Sequence, residues 1–225
     1  MEDYWIRRFE DRDYEEAREV LISGLNEHSS TLFRCALQQP GIQLALLSVF
    51  CFFFLNSASF LLSSVVLALA VLAVNRTAYQ FISICWTEVA LKHDLLDIKK
   101  SYMETSDSCF WVAECNGKVV GTIAALPFKE LVGALELKRL SVRRGYRGRG
   151  IGKALCRAVI DFAQANGFQS IVLCTSVIQL EGKKLYERLG FKKMKEYFWP
   201  SRLGKALGLV LLHYKYDVSP LHKDN

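Results

Sequence analysis

The sequence predicts an α+β protein of α/β/α layers: a mixed central sheet covered by helices, with a hydrophobic helical membrane hairpin inserted after the first helix. Three observations carry this reading. Strand-like and helix-like patterns alternate in the order βα-ββ-βα-βα-ββ. The stretch 135–162 reads as a strand, a glycine-rich turn and a helix. The 34 residues from Gly41 to Val74 contain no charged side chain.

Tyr4 to Phe9 reads as the first strand. The first helix follows, with Asp13 as its cap, Glu16 three residues later, and Ala17, Val20, Leu21 and Gly24 on one stripe. The uncharged run then divides at Asn56-Ser57-Ala58-Ser59 into arms Ile42–Leu55 and Phe60–Val74, each about 21–22 Å long if helical. Arms of that length suit a re-entrant hairpin in a hydrocarbon core of about 30 Å. Both flanking parts of the domain must lie on one side of the membrane, because they share one fold. The alternative is a pair of buried core helices. The expected division is therefore 1–34 for the first strand and helix, 35–76 for the membrane insert, and 77–225 for the remainder of the domain. Asn75-Arg76-Thr77 has the form of a glycosylation sequon, expected to be unmodified on the cytosolic side. Residues 77–98 continue as a helix with Tyr79 and Trp86 near the membrane surface.

Cys109–Cys115, Asn116-Gly117 and Lys118–Leu126 form a hairpin, since Asn-Gly between apolar strands favours a tight turn with left-handed torsions. The next strand rests on Leu135, Leu137, Leu140 and Val142. The helix from Gly152 carries Leu155, Val159 and Phe162 on one side and stops near Gly167. Ser170–Cys174, Leu180–Leu189, Phe191–Phe198 and Leu209–Asp217 complete the order as strand, helix and two strands.

The turn between Val142 and Lys153 has the chemistry of an anion site. Gly148, Gly150 and Gly152 let backbone approach a ligand closely, and successive N–H groups converge at a helix N-terminus, where the dipole favours negative charge. Arg143, Arg144, Arg147, Arg149 and Lys153 add positive charge, so a pyrophosphate is the natural guest. Neither a Walker loop nor a dinucleotide fingerprint fits the spacing.

Arg147-x-x-Gly150-x-Gly152 resembles the Arg/Gln-x-x-Gly-x-Gly/Ala motif of the GNAT acetyltransferase superfamily. Leu185-Tyr186-Glu187-Arg188-Leu189-Gly190-Phe191 resembles its closing motif, at the expected distance. The hydrophobic insert, Phe110-Trp-Val-Ala-Glu114, Leu140-Ser-Val142 and Cys174-Thr-Ser176 followed by Gln179 narrow the resemblance to the camello-type N-acetyltransferases. That group includes membrane-bound cysteine-S-conjugate and aspartate N-acetyltransferases, and some members are described as protein lysine acetyltransferases. The resemblance implies a GNAT fold and acetyl-CoA as co-substrate without a metal. It also implies an endoplasmic reticulum membrane location with the catalytic domain facing the cytosol, and lipid contact through residues 41–74. The chain is closer in length to the cysteine-conjugate branch.

By the same resemblance, Arg147, Gly148, Arg149, Gly150, Ile151, Gly152 and Lys153 hold the pyrophosphate, and backbone of Leu140, Ser141 and Val142 meets the pantetheine. Tyr186 is the candidate acid for the departing thiolate, or a packing tyrosine. Glu136, eleven residues before Arg147, is the candidate base, or a strand carboxylate paired with Lys138 or Arg139. Gln179 stands where many members have Asn and still offers an amide. Lys138 and Arg139 could grip an acceptor carboxylate.

Composition limits the rivals. The net charge of +6 suits a phosphorylated cofactor or an anionic membrane, and no nucleic-acid motif accompanies it. The seven scattered cysteines show no zinc or disulfide pattern and read as reduced thiols. Cys174 reads as core, and the histidines at 28, 93, 213 and 222 lack metal spacing. The rival functions are a protein lysine acetyltransferase and a non-catalytic membrane scaffold with the same fold.

Overall fold

The local signals build most of the sheet. In the computed structural model, which describes residues 3–219, Asn116 and Gly117 both take left-handed torsions, and the strands they join are β2 (Cys109–Cys115) and β3 (Lys118–Pro127). β1 (Tyr4–Arg8) pairs antiparallel with the free edge of β2, and β4 (Ala134–Val142) with the far edge of β3. β5 (Ser170–Ser176), β6 (Lys192–Phe198) and β7 (Val210–Asp217) finish a seven-stranded sheet of order β1-β2-β3-β4-β5-β7-β6. Only the β4–β5 contact is parallel, so the sheet is mixed, as expected.

The helix α1 (Tyr14–Asn26) buries Ala17, Val20, Leu21 and Gly24 on one face of the sheet. Asp13 holds the N-cap position of α1 as expected, but its side chain makes no cap bond there. Asp13 belongs to a short 3-10 turn, where it accepts from the Glu10 N–H at 2.8 Å and from the Arg7 guanidinium at 2.6 and 2.7 Å. Glu16 instead accepts from the Val119 N–H at 2.6 Å. Arg7 also pairs with Glu114 at 2.6 Å; a half-buried cation captures the acid that the local pattern assigned to a helix end.

α2 (His28–Leu37), α3 (Pro40–Ser57) and α4 (Phe60–Ile82) follow. The break between α3 and α4 falls where polarity predicted it: Ala58 is left-handed and the Ser59 side chain caps α4 by accepting from the Leu62 N–H. Both helices outrun the expected arms, at about 27 Å and 35 Å by rise per residue. α4 passes residue 76 without a break and continues through a π-turn, Ser83–Glu88, into α5 (Val89–Lys92). The buried-core alternative does not hold. No residue of α3 is buried, and Leu55 and Leu61 at the tip are 80% and 76% exposed. The base is packed: Leu32, Ala36, Ala78, Phe81 and Ile82 form a cluster with Ile178, Leu207 and Leu209.

After α5 the chain turns into a short helix, α6 (Ile98–Tyr102), on the α1 side of the sheet. The opposite face is covered by α7 (Ile151–Ala165) and α8 (Leu180–Arg188). A last short helix, α9 (Arg202–Ala206), links β6 to β7. α7 sits close because Gly121 of β3 leaves room: a Cβ there would come within 3.1–3.2 Å of Leu155 and Ile151.

Candidate active site

The site begins where two strands part. β4 and β5 pair over three positions, from Ala134 opposite Ser170 to Glu136 opposite Val172. β5 keeps its full pairing with β7 up to Ser176, while β4 from Leu137 to Val142 stays paired only with β3. A wedge therefore opens in mid-sheet. Alternate backbone groups of Leu137–Val142 face it without strand partners. Leu140 and Val142 turn their side chains to the α7 core. Ser141 turns the other way and donates from Oγ to the Val20 carbonyl at 3.0 Å, where α1 approaches so closely that a Cβ at Gly24 would collide with it.

At the wide end of the wedge lies the glycine-rich turn. Gly148 and Gly150 have φ of 80° and 86°, torsions that only glycine adopts freely. Nothing lies within 4 Å of a Cβ added at Gly148, so the concavity is open. α7 starts at Ile151 without a side-chain cap, leaving the first-turn N–H groups of Ile151, Gly152 and Lys153 for a ligand. Gly152 abuts Leu185 of α8, which docks α8 on the same helix end.

The arginines divide. Arg143 is tied to Glu19 at 2.8 Å and to the Val119 carbonyl at 2.9 Å. Arg147 pairs with Glu27 at 2.8 Å and donates to the Val142 carbonyl at 2.9 Å. These two brace the turn against α1 and β4. Arg149 stacks over Tyr146 at 5.0 Å. Arg144 and Lys153 have no partner among the described residues, which leaves them to meet an anion.

Tyr186 projects from α8 into the core on the α7 side, tilted against Phe191 and Tyr214. Its ring is buried. Its hydroxyl has no hydrogen-bond partner among the described residues, yet it is not one of their fully enclosed unpaired polar atoms. A buried tyrosine normally pairs its hydroxyl, so this one is available to a ligand. Burial drives its pKa far up, with the neighbouring Cys156 adding to the shift. It stays a neutral donor at any physiological pH. Gln179 folds back on the end of β5, accepting through Oε1 from Thr175 Oγ1 at 2.8 Å and from the Ser176 N–H at 3.2 Å. The extra methylene relative to Asn permits this, and the Nε2 group remains without a partner among the described residues.

Glu136 occupies the apex of the wedge, 3.5 Å from Lys138. Across the wedge, Cys174 of β5 lies opposite His213 of β7, and Tyr197 of β6 shares a 2.8 Å hydrogen bond with His213. Desolvation lowers the His213 pKa and Lys195 lowers it further, against Glu130 and Glu136, so the ring is neutral near pH 7. Cys174 is exposed on β5, not in the core as expected, while desolvation and Glu136 push its thiol up to about 11, which disfavours a nucleophilic thiolate. Sequence reasoning missed Tyr197, Lys195 and the position of His213. Their meeting depends on β7 lying between β5 and β6, which no local pattern announces. Arg139 is corrected: it is turned inward against Asp94 and cannot grip an acceptor. No three of His, Cys, Asp and Glu converge as a metal site among the described residues, and His222 lies outside them.

Comparison with known proteins identifies the family. The acetyltransferase (GNAT) family profile matches residues 75–191. The chain is 39% identical to N-acetyltransferase family 8 member 2 of Rattus norvegicus, covering 97% of this chain and 96% of that one. It is 37% identical to "Probable N-acetyltransferase camello" of Xenopus tropicalis, over 95% and 97%. Among solved structures, an acetyltransferase of the GNAT family from Staphylococcus aureus Mu50 aligns with a TM-score of 0.58 at 18% identity, over 96% of this chain and all of that one, which supports the fold. The chain belongs to the camello-type N-acetyltransferases of the GNAT family, enzymes that transfer acetyl from acetyl-CoA to an amine.

Proposed function

We propose that the chain is a membrane-held N-acetyltransferase that acetylates the free amine of a cysteine S-conjugate. The observation that carries the site is the wedge between β4 and β5, with an uncapped, glycine-lined helix end at its mouth. Acetyl-CoA supplies an activated acetyl group as a thioester. The N–H groups from Gly148 to Lys153, with Arg144 and Lys153, bind its pyrophosphate, while Arg147 and Arg149 shape the turn. The backbone of Leu140, Ser141 and Val142, with the Gln179 amide, aligns the pantetheine, and an N–H of this strand stabilises the developing oxyanion. Tyr186 gives its proton to the departing sulfur. Glu136 receives the proton that the amine loses.

The acceptor assignment rests on the wedge's surroundings. Lys195 makes no ion pair among the described residues and lies on the strand beside His213, where it offers a cation to an α-carboxylate. Ile178, just past β5, packs into the base of the apolar hairpin. An acceptor with a charged amino-acid end and an apolar sulfur substituent matches both. The hairpin itself, exposed along its length, is read as lipid-embedded in the endoplasmic reticulum membrane. Both its ends meet the domain, since Gln39 packs over Gly208 and Ile82 joins the basal cluster. Contact at both ends supports a domain on one face of the membrane, which we read as the cytosolic one because acetyl-CoA is supplied there.

The test is acetyl-CoA turnover by the membrane-embedded protein with S-benzylcysteine, aspartate and a lysine peptide in competition. Preference for S-benzylcysteine is expected. Preference for the peptide would replace the acceptor while keeping the chemistry, and absence of turnover with acetyl-CoA bound would favour a scaffold.

A further inference from the structure

One residue in β4 has a backbone conformation its type resists. Along β4 the residues facing the α7 core are Leu135 and Leu137, then Leu140 and Val142. The two-residue period slips by one after Leu137. The pairing with β3 shows the cause: Thr122 lies opposite Ser141 and Ala124 opposite Lys138, so Arg139 and Leu140 together face Ile123. This is a β-bulge, and Arg139 has φ of 59°. Left-handed torsion is unfavourable for a residue with a Cβ, and a bulge of this kind ordinarily uses glycine. The arginine must therefore be held there.

The holding contacts are visible. Arg139 binds Asp94 with both arms of a fork: Nε donates to Oδ2 at 2.8 Å and Nη2 donates to Oδ1. Tyr102 donates its hydroxyl to the same carboxylate. Thr122 Oγ1 donates to the Arg139 carbonyl at 2.9 Å, closing the bulge from the β3 side. Burial raises the Asp94 pKa, and Arg139 and Tyr102 overcome that and leave it below the usual carboxylate range, so the pair is ionised. The bulge lies at the lip of the wedge, immediately before Leu140. Asp94 lies two residues beyond α5, the end of the continuous helix that begins at Phe60 in the hairpin.

We propose that Asp94 and Arg139 are positioning residues: their fork holds the bulge in its left-handed turn and so aims the Leu140–Val142 backbone at the thioester, referencing that geometry to the end of the membrane hairpin. The inference rests on the wedge being the acetyl-transfer site. Releasing the fork lets the bulge relax to a conformation an arginine prefers, which rotates the peptide groups beside it. The consequence falls on transition-state alignment, while the pyrophosphate turn is untouched.

Three variants of the full-length protein in membranes separate this from a plain contribution to folding. Asp94→Asn is expected to lower kcat about 100-fold, the scale of a reacting group misplaced by about 1 Å, with the Kd for acetyl-CoA within about threefold of wild type. Asp94→Asn with Arg139→Gly removes both charges and supplies a residue that takes φ of 59° unaided; it is expected to recover most of the lost kcat. Asp94→Asn with Arg139→Met removes the same charges without that freedom and is expected to stay slow. Equal recovery by glycine and methionine, or recovery by neither, would overturn the proposal, as would wild-type kcat in Asp94→Asn. If Asp94→Asn does not accumulate, the two double variants still decide between the readings, since both lack a buried unpaired charge. Failure of the site reading is distinguishable, because Tyr186→Phe would then leave turnover unchanged.

Discussion

The proposed pyrophosphate turn makes a quantitative prediction through two glycines. Gly145 and Gly148 both stand in open space, with nothing within 4 Å of an added Cβ. They differ in torsion, since Gly148 has φ of 80° and Gly145 lies in the short 3-10 turn with no positive φ. Alanine at either position adds the same methyl group and meets no neighbour. At Gly148 it must also hold a left-handed torsion, which costs about 1–2 kcal/mol. The turn is at the surface and can relax when empty, so the strain is felt when the ligand demands the original shape. Acetyl-CoA affinity should fall by about 5- to 30-fold in Gly148→Ala and by less than about twofold in Gly145→Ala. Titration calorimetry of the detergent-solubilised protein with acetyl-CoA, beside a melting curve for each variant, measures both. Equal affinities for the two variants would refute the assignment of the Gly148 torsion to ligand binding.

Other expectations follow from particular contacts. Asp13 is 4% exposed and held by Arg7; burial raises its pKa, and the Arg7 and Glu10 hydrogen bonds bring it below the usual carboxylate range. A depressed carboxyl adds stability that is present above its unfolded pKa of about 3.9 and is lost as pH falls through the folded value. Asp13→Asn should therefore destabilise the protein by about 2–3 kcal/mol at pH 7 and flatten the acid limb below about pH 4; denaturant melts from pH 3 to 7 would show an unchanged limb if the pairing were unimportant. Leu69 is 60% exposed in mid-α4. Leu69→Arg should oppose insertion by about 2.5–3.5 kcal/mol and shift protein out of the carbonate-resistant membrane fraction. Unchanged retention would contradict the lipid reading of the hairpin.

How much of this was legible depended on how far apart the interacting residues stood. The Asn116-Gly117 turn, the stop at Gly167 and the break at Ala58-Ser59 are local, and they lie where the sequence places them. The bulge was half visible: Leu135, Leu137, Leu140 and Val142 already show spacings of two, three and two. Its meaning needed the Asp94 partner, 45 positions away. Asp13 holds the cap position of α1, but its carboxylate turns to Arg7, which with Glu114 completes a half-buried ion cluster that only the β1–β2 pairing brings together. On the acceptor side, Glu136 became a candidate through the family resemblance. Lys195, Tyr197 and His213 could not be named, since antiparallel pairing across β7 assembles them. The short helices α6 and α9 carry too few residues for a periodic signal.

In the proposed mechanism this chain's own wedge performs the transfer, with Tyr186 giving the departing sulfur its proton. The direct measurement is thiol release from acetyl-CoA by the membrane-embedded enzyme with S-benzylcysteine, compared between wild type and Tyr186→Phe, with acetyl-CoA affinity determined on both. In Tyr186→Phe, kcat is expected to fall by about 10²- to 10⁴-fold while affinity stays within about threefold. Wild-type turnover in Tyr186→Phe would contradict this mechanism and leave Tyr186 a packing side chain between Phe191 and Tyr214.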